Sequence, residues 1–435
     1  MNSIWSDTSS FKSFDKLCDD IKTDVLIIGG GIAGLLCAYE LKKAGIDYIL
    51  IEADRICSGI TKNTTAKVTF QHGLIYNKIL KKYGKDYAQQ YYQANKNALE
   101  KFKILSERFP CDFELKDSYV YSLNNEKLLH NELNALSQIG CNADISYKLP
   151  LPFNVKGAVK TSKQAQFNPL LFLSGLSKEL KIFENTKAIG FSPDCVLTNN
   201  GKINAKHIII ATHFPIINKH GGYFIKMYQH RSYVVAIKNN LNLNGIYVDE
   251  AMKGMSFRNY GEYQFIGGGD HRTGKKGGSY NELVDFTQKY YPGNDIEYKW
   301  ATQDCITLDG IPYVGRYSEK TPEIYVITGF NKWGMTNAAA GAELICDLIK
   351  GKKNPYEEVF SPARTIFHPE LFINISETFL NFIKPKKPRC PHLGCSLNYN
   401  KVEHSWDCPC HGSRFNDKGE LIDNPATDDI KNINK

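Results

Sequence analysis

The 435-residue chain has no apolar run of the ~18 residues that a membrane-spanning helix needs. Its N-terminus, MNSIWSDTSSFKSFDKL, lacks the charged start and apolar core of a secretory signal. There is no internal repeat and no dense field of one charge. The net charge of +8 comes from lysines spread along the whole chain. One cluster stands out, Lys384-Pro-Lys-Lys-Pro-Arg389. Its prolines suit an exposed linker and its charges a solvated face rather than a nucleic-acid footprint. These absences point to a cytoplasmic protein with no transmembrane segment and no nucleic-acid partner. What is present is ordinary for a globular chain: 42% apolar and 23% charged residues, at a length that suggests two or three domains.

Twelve cysteines fall into two groups. Eight are scattered, and without a secretory leader they read as reduced, buried thiols. Cys390, Cys395, Cys408 and Cys410 instead crowd together beside His392, His404 and His411. That crowding needs its own explanation.

Asp24-Val-Leu-Ile-Ile-Gly29 reads as a buried parallel strand, Ile32 to Ala44 as a helix stopped by Gly45, and Asp47 to Glu52 as a second strand. Between strand and helix lies Gly29-Gly-Gly31-Ile-Ala33-Gly34, with an acid, Glu52, eighteen residues beyond Gly34. This is the context the GxGxxG fingerprint of dinucleotide binding requires. Gly29 allows the tight turn, Gly31 the approach of a diphosphate, and Gly34 close helix–strand packing. The helix N-terminus offers N–H groups to the diphosphate, and Glu52 accepts from ribose hydroxyls. Further on, residues 76 to 109 and 336 to 350 read as helical. Strands are predicted at 115–123, 155–161, 206–211, 223–237, 255–269 and 323–328. Leu371 to Lys384 reads as an amphipathic helix.

Two stretches specify the dinucleotide. Arg55-Ile-Cys-Ser-Gly-Ile-Thr61-Lys-Asn-Thr64-Thr65-Ala66 and Ile327-Thr-Gly-Phe-Asn-Lys-Trp-Gly334-Met335-Thr336 resemble segments of the D-amino-acid oxidase and glycine oxidase family. Ala165 to Pro169, Ile210 to His213 and Trp300 to Pro312 match further landmarks of that family, in family order. The resemblance implies FAD. Thr61, Thr64 and Thr65 would follow its diphosphate, and Gly334, Met335 and Thr336 would begin a helix facing the flavin N1/C2 edge. It also implies hydride removal from a C–N bond of a small-molecule amine. Family members that act on α-amino acids carry an Arg in W-A-G-L-R-P. The matching stretch here is Trp300-Ala-Thr-Gln-Asp304-Cys305. An acid in that position would repel a substrate carboxylate and attract a cationic amine, which makes Asp304 the candidate catalytic-site residue. The alternative is that Asp304 pairs with a protein base such as Arg258 or Arg272. His72, His271 and Lys332 are further candidates, each with a structural role as its alternative.

The C-terminal motifs Cys390-Pro-His392-Leu-Gly-Cys395 and Cys408-Pro-Cys410-His411-Gly-Ser413 resemble the two ligand loops of Rieske proteins. That resemblance implies a 2Fe-2S cluster held by the thiolates of Cys390 and Cys408 and the imidazoles of His392 and His411. It also implies a Cys395–Cys410 disulfide between the loops. Two Cys and two His also suit tetrahedral zinc, but zinc leaves the second Cys of each loop and Gly412-Ser413 unexplained, which favours the Rieske reading. Only the cluster-binding half of a Rieske domain is present, so the oxidase domain would have to serve as its base. Phe415 stands where high-potential Rieske proteins have Tyr.

The expected fold class is α/β. A discontinuous Rossmann-like FAD-binding domain (1–75, 160–222, 301–365) carries an inserted α+β substrate domain (76–159, 223–300). A helix and linker (366–389) lead to a truncated, all-β Rieske-like module (390–435). The expected function is FAD-dependent oxidation of an amine, with electrons leaving through the cluster to an unknown acceptor. The rivals are an oxygen-using amine oxidase with a structural cluster and a non-catalytic redox sensor.

Overall fold

Val25 to Ile28 are buried on both faces, because the Ile21–Ile28 strand is central to a parallel sheet. It pairs with Tyr48–Ile51 on one side and Gly201–Ile210 on the other, and the latter pairs in parallel with Thr321–Thr328. The eight-stranded sheet is completed by Ile182–Phe183, Tyr313–Ser318 and a short hairpin at Ala188–Phe191 and Cys195–Thr198. The computed structural model describes residues 3–192, 194–217, 220–239, 241–364, 369–385 and 388–431. Helix Ile32–Lys43 crosses over the sheet and packs on helix Gly334–Ile349. The second helix sits close to the sheet because Gly341 has no side chain. A Cβ there would meet the Ile327 side chain at 2.7 Å.

A second, nine-stranded sheet is largely antiparallel. Its path runs from Ile296–Thr307 through Met227–Lys238, Tyr263–Arg272, Ser256–Tyr260 and Gly245–Asp249 to Glu114–Ser122 and Gly157–Gln166. The boundaries expected at 159/160 and 300/301 fall inside two of these strands, which carry the chain from one unit to the other without a break. The helix expected over 76–109 is two helices, Tyr76–Tyr83 and Lys85–Arg108. Gly84 between them has φ +90°, a left-handed value that breaks the helix.

Four strands of three residues form the C-terminal module: Asn398–Asn400, Ser405–Asp407, Arg414–Asn416 and Leu421–Asp423. Its small core contains the four clustered cysteines, Leu397, Phe415 and Ala426. Too little apolar surface is buried for such a module to stand alone, and it leans on the oxidase domain. Glu403 takes the Arg231 guanidinium, with one N–O distance of 2.8 Å, and the Asn398 side-chain amide donates to Gly274 O at 2.7 Å. Gly274 must be a glycine here, with φ +74° and space for a Cβ closed by Pro409 N at 2.5 Å.

Candidate functional site

A Cβ on Gly34 would lie 1.9 Å from Gly29 O, so only glycine lets helix and strand close up. Gly29 has φ +109°. At Gly31 the sole near neighbour of a Cβ is Thr61 Oγ1 at 3.2 Å, which leaves this backbone open to a cavity. Glu52 closes the motif by accepting from Gly30 N at 2.6 Å and Asp54 N at 3.1 Å. Burial holds its carboxyl above the ordinary range, and those N–H groups offset only part of the rise. Thr61 Oγ1 accepts from Ile32 N, the first residue of the helix, at 3.1 Å.

The loop carrying the threonines is pinned from three sides. Trp5 Nε1 donates to Thr64 O at 2.7 Å, Trp300 Nε1 to Asn63 O at 3.0 Å, and Arg258 to Ala66 O at 2.8 Å. All the sequence-designated FAD residues line one cavity of about 1360 Å³ except Gly34 and Thr336. Gly34 faces the strand. Thr336 turns its hydroxyl away to Thr69 O at 2.9 Å, beneath the start of its helix. Gly334 and Met335 bring that helix start to the cavity wall. An open glycine backbone, the acid Glu52 and two helix N-termini on one cavity of this size fit a flavin dinucleotide.

Asp304 also lines this cavity, on the Ile296–Thr307 strand, directly across from His230. Neither proposed protein partner reaches it. Arg258 serves Ala66, and Arg272 donates to Asn374 Oδ1 at 2.7 Å and to Cys410 O at 3.0 Å. Among the described residues Asp304 has no hydrogen bond or ion pair, and burial pushes its carboxyl up to about 6. Lys332 meets Asp270 at 2.9 Å, so its charge is already matched.

Three cavity groups were not apparent from the sequence. Asp270 is the partner of Lys332. Lys67 donates to Thr65 Oγ1 at 2.8 Å, and burial lowers its ammonium to about 7. His230 has a buried Nδ1 with no hydrogen-bond partner among the described residues, and burial lowers its imidazole to about 2. Each is brought in by strand pairing distant in sequence. His72 bonds Tyr91 Oη at 2.7 Å and Thr69 O at 2.8 Å while stacking on Trp333, so it braces the Gly334 helix. His271 stacks on Tyr233.

On the other side of the same strands lies the cysteine–histidine cluster. Cys395, Cys408 and Cys410 have their sulfurs within 4.8 Å of one another. Cys408 is held well below the ordinary thiol range by hydrogen bonds from Cys390, Cys395 and Cys410. The rings of His392 and His411 meet edge to face with centroids 5.0 Å apart. Burial lowers both imidazoles to about 4, which keeps them neutral. Among the described residues both ring nitrogens of His411 are buried without a hydrogen-bond partner, which suits a metal ligand. The donor set fits an iron–sulfur centre. Cys395 and Cys410 are brought together but are free thiols in this structure.

The family models agree with both halves. The model for FAD dependent oxidoreductases matches residues 24–348, and that for the Rieske [2Fe-2S] domain matches 383–434. The chain therefore belongs to the FAD-dependent oxidoreductases of the D-amino-acid oxidase type, carries a Rieske domain at its C-terminus, and has FAD and a 2Fe-2S cluster as its cofactors. Among curated proteins it is similar to YhfW of Bacillus subtilis, named as a Rieske 2Fe-2S iron-sulfur protein. The two are 35% identical over 99% of this chain and 97% of the relative. It is 21% identical to gamma-glutamylputrescine oxidoreductase of Escherichia coli, over 80% of this chain and 88% of that one. Among solved structures, L-proline dehydrogenase from P. horikoshii shares the fold, with a TM-score of 0.67 at 22% identity over 80% of this chain and 98% of the other.

Proposed function

We propose that this protein oxidises the C–N bond of a small cationic amine and sends the electrons out through its Rieske module. The observation that carries the reading is Asp304, a cavity carboxylate with no hydrogen bond or ion pair among the described residues, where amino-acid-oxidising relatives carry a carboxylate-binding Arg. When bound, FAD supplies the hydride acceptor and the cluster a one-electron carrier.

The chain's own residues hold the cofactors and orient the substrate. Gly29, Gly31, Ala33, Glu52, Thr61, Thr64 and Thr65 hold the dinucleotide, and Gly334 to Thr336 present a helix N-terminus to it. Asp304 binds the ammonium group and, with His230 across the strand pair, fixes its orientation. Lys67, with an affinity for protons near neutrality, takes the ammonium proton so that nitrogen presents its lone pair. The Lys332–Asp270 pair walls the cavity without adding net charge. Cys390, Cys408, His392 and His411 hold the cluster.

The E. coli relative is named for an amine-bearing substrate, which supports the same class here. An anaerobic screen of amines against amino acids tests the proposal by flavin bleaching. Primary or secondary amines without an α-carboxylate should bleach the flavin. Bleaching by simple α-amino acids alone would refute the role given to Asp304.

A further inference from the structure

The Pro369–Ile383 helix lies on the protein the wrong way round for a soluble surface helix. Its Asn374 and Asn381 are buried, the former holding Arg272 and donating to Ile225 O at 3.3 Å. Glu377 ion-pairs with Lys275. Meanwhile Ile373, Ile375, Phe379, Leu380, Phe382 and Ile383 are between 47% and 63% exposed. At about 100° per residue these six share one half of the circumference, and Glu377 falls on the other half. So contiguous an apolar strip marks a binding surface.

The end of the helix says what the strip meets. It runs into Lys384-Pro-Lys-Lys-Pro-Arg389, of which residues 386–387 lie outside the described structure. Lys384 and Arg389 are exposed, and among the described residues neither meets a carboxylate. Arg389 instead ties the linker, donating to Phe382 O at 2.9 Å and Lys384 O at 2.7 Å. A second copy packed strip to strip would cover the apolar half but set one basic run against another. An anionic lipid surface supplies both complements, acyl chains for the strip and phosphates for the cations. The helix has 15 residues and is not a membrane span.

We propose that the Pro369–Ile383 helix is an interfacial anchor that lays the protein on an anionic phospholipid bilayer. Phe382 also packs near the first cluster loop, 3.6 Å from where a Gly394 Cβ would stand. The anchor therefore sets the Cys390–Cys395 loop at the headgroup layer.

The test is flotation of the purified full-length holoprotein with vesicles of phosphatidylcholine, alone or with phosphatidylglycerol. The protein should float with the anionic vesicles and release as salt rises. Phe379→Asp/Phe382→Asp should lower binding at least about tenfold, the equivalent of ~1.4 kcal/mol, with flavin absorbance and the cluster signal kept as proof of folding. Lys384→Glu should weaken binding to anionic vesicles alone. Failure of the parent protein to float, or equal flotation by the double variant, overturns the proposal. So does concentration-dependent dimerisation in sedimentation that the double variant abolishes, since the strip would then be covered by a second copy.

Discussion

Gln303 and Asp304 are neighbours on one strand and serve opposite faces of it. The Gln303 amide donates to Gly412 O in the second cluster loop at 2.9 Å, while Asp304 lines the flavin cavity. Across the strand pair the pattern repeats. Gln229 donates to His411 O at 3.1 Å and accepts from Gln303 at 2.6 Å, and its neighbour His230 lines the cavity. Two adjacent strands thus separate the cavity face from the cluster face by the thickness of a single sheet.

Breaking this join should uncouple the two halves. Gln303→Leu strands the carbonyls of Gly412 and Gln229 in a buried setting, at a cost of about 1–3 kcal/mol. Calorimetry should show the C-terminal module unfolding earlier. Stopped-flow spectra should show slower cluster reduction with unchanged flavin bleaching. Equal slowing of both signals would mean that Gln303 shapes the cavity rather than the join.

Gly31→Val should yield protein that lacks the flavin absorbance and keeps that of the cluster. Its side chain would enter the cavity where the backbone is open, past the Thr61 hydroxyl. The absorbance spectrum of the purified variant checks this, and a full flavin band would displace the dinucleotide from these glycines.

Asp304 should impose a pH dependence with a definite sign. Its carboxyl is raised from 3.8 to about 6, so it is ionised and able to bind a cation only above that pH. The KM for an amine should fall as pH rises through about 6, and Asp304→Asn should remove the dependence and raise KM at least about tenfold. A raised acid favours the folded state below its unfolded value, and that contribution is lost as pH rises through the folded one. The unliganded Asn variant should therefore melt higher than the parent above pH 6, by about 2 °C, and no higher near pH 4. Melting curves at both values check the sign.

Cys390→Ser or His411→Ala should abolish the cluster and leave FAD bound, because the two sites are on opposite faces of the sheet. Iron and sulfide analysis beside the flavin spectrum decides this. Retention of two irons and two sulfides in either variant would remove that residue from the ligand set.

Phe415 is fully buried among the cluster cysteines, and the Ser413 hydroxyl hydrogen-bonds Cys390. Hydrogen bonds to cluster sulfurs stabilise the more negative, reduced state. Phe415→Tyr should raise the potential by about 40 mV, the equivalent of one hydrogen bond of about 1 kcal/mol. A redox titration followed by paramagnetic resonance reads the shift. An unchanged or lowered potential would mean that position 415 does not face the sulfurs.

The local parts of this design were legible in the sequence. The Gly29–Gly34 turn, Glu52 and the two cluster loops each depend on residues a few positions apart. The Asp270–Lys332 pair, Lys67 and His230 were not legible, because pairing of strands distant in sequence brings them to Asp304. Nor was the setting of the Pro369–Ile383 helix. Periodicity tells which residues share a face, but not that Asn374 and Asn381 would point inward. Gly84 shows a smaller limit: the apolar spacing continues through it, and its left-handed backbone still ends the helix.

The most direct test of the whole account is anaerobic stopped-flow mixing of the holoprotein with an amine that bleaches its flavin, followed at flavin and cluster wavelengths. The account predicts flavin bleaching first, then cluster reduction at a rate that supports turnover, with little peroxide formed when air is admitted. A cluster that stays oxidised while peroxide matches amine consumed would contradict it.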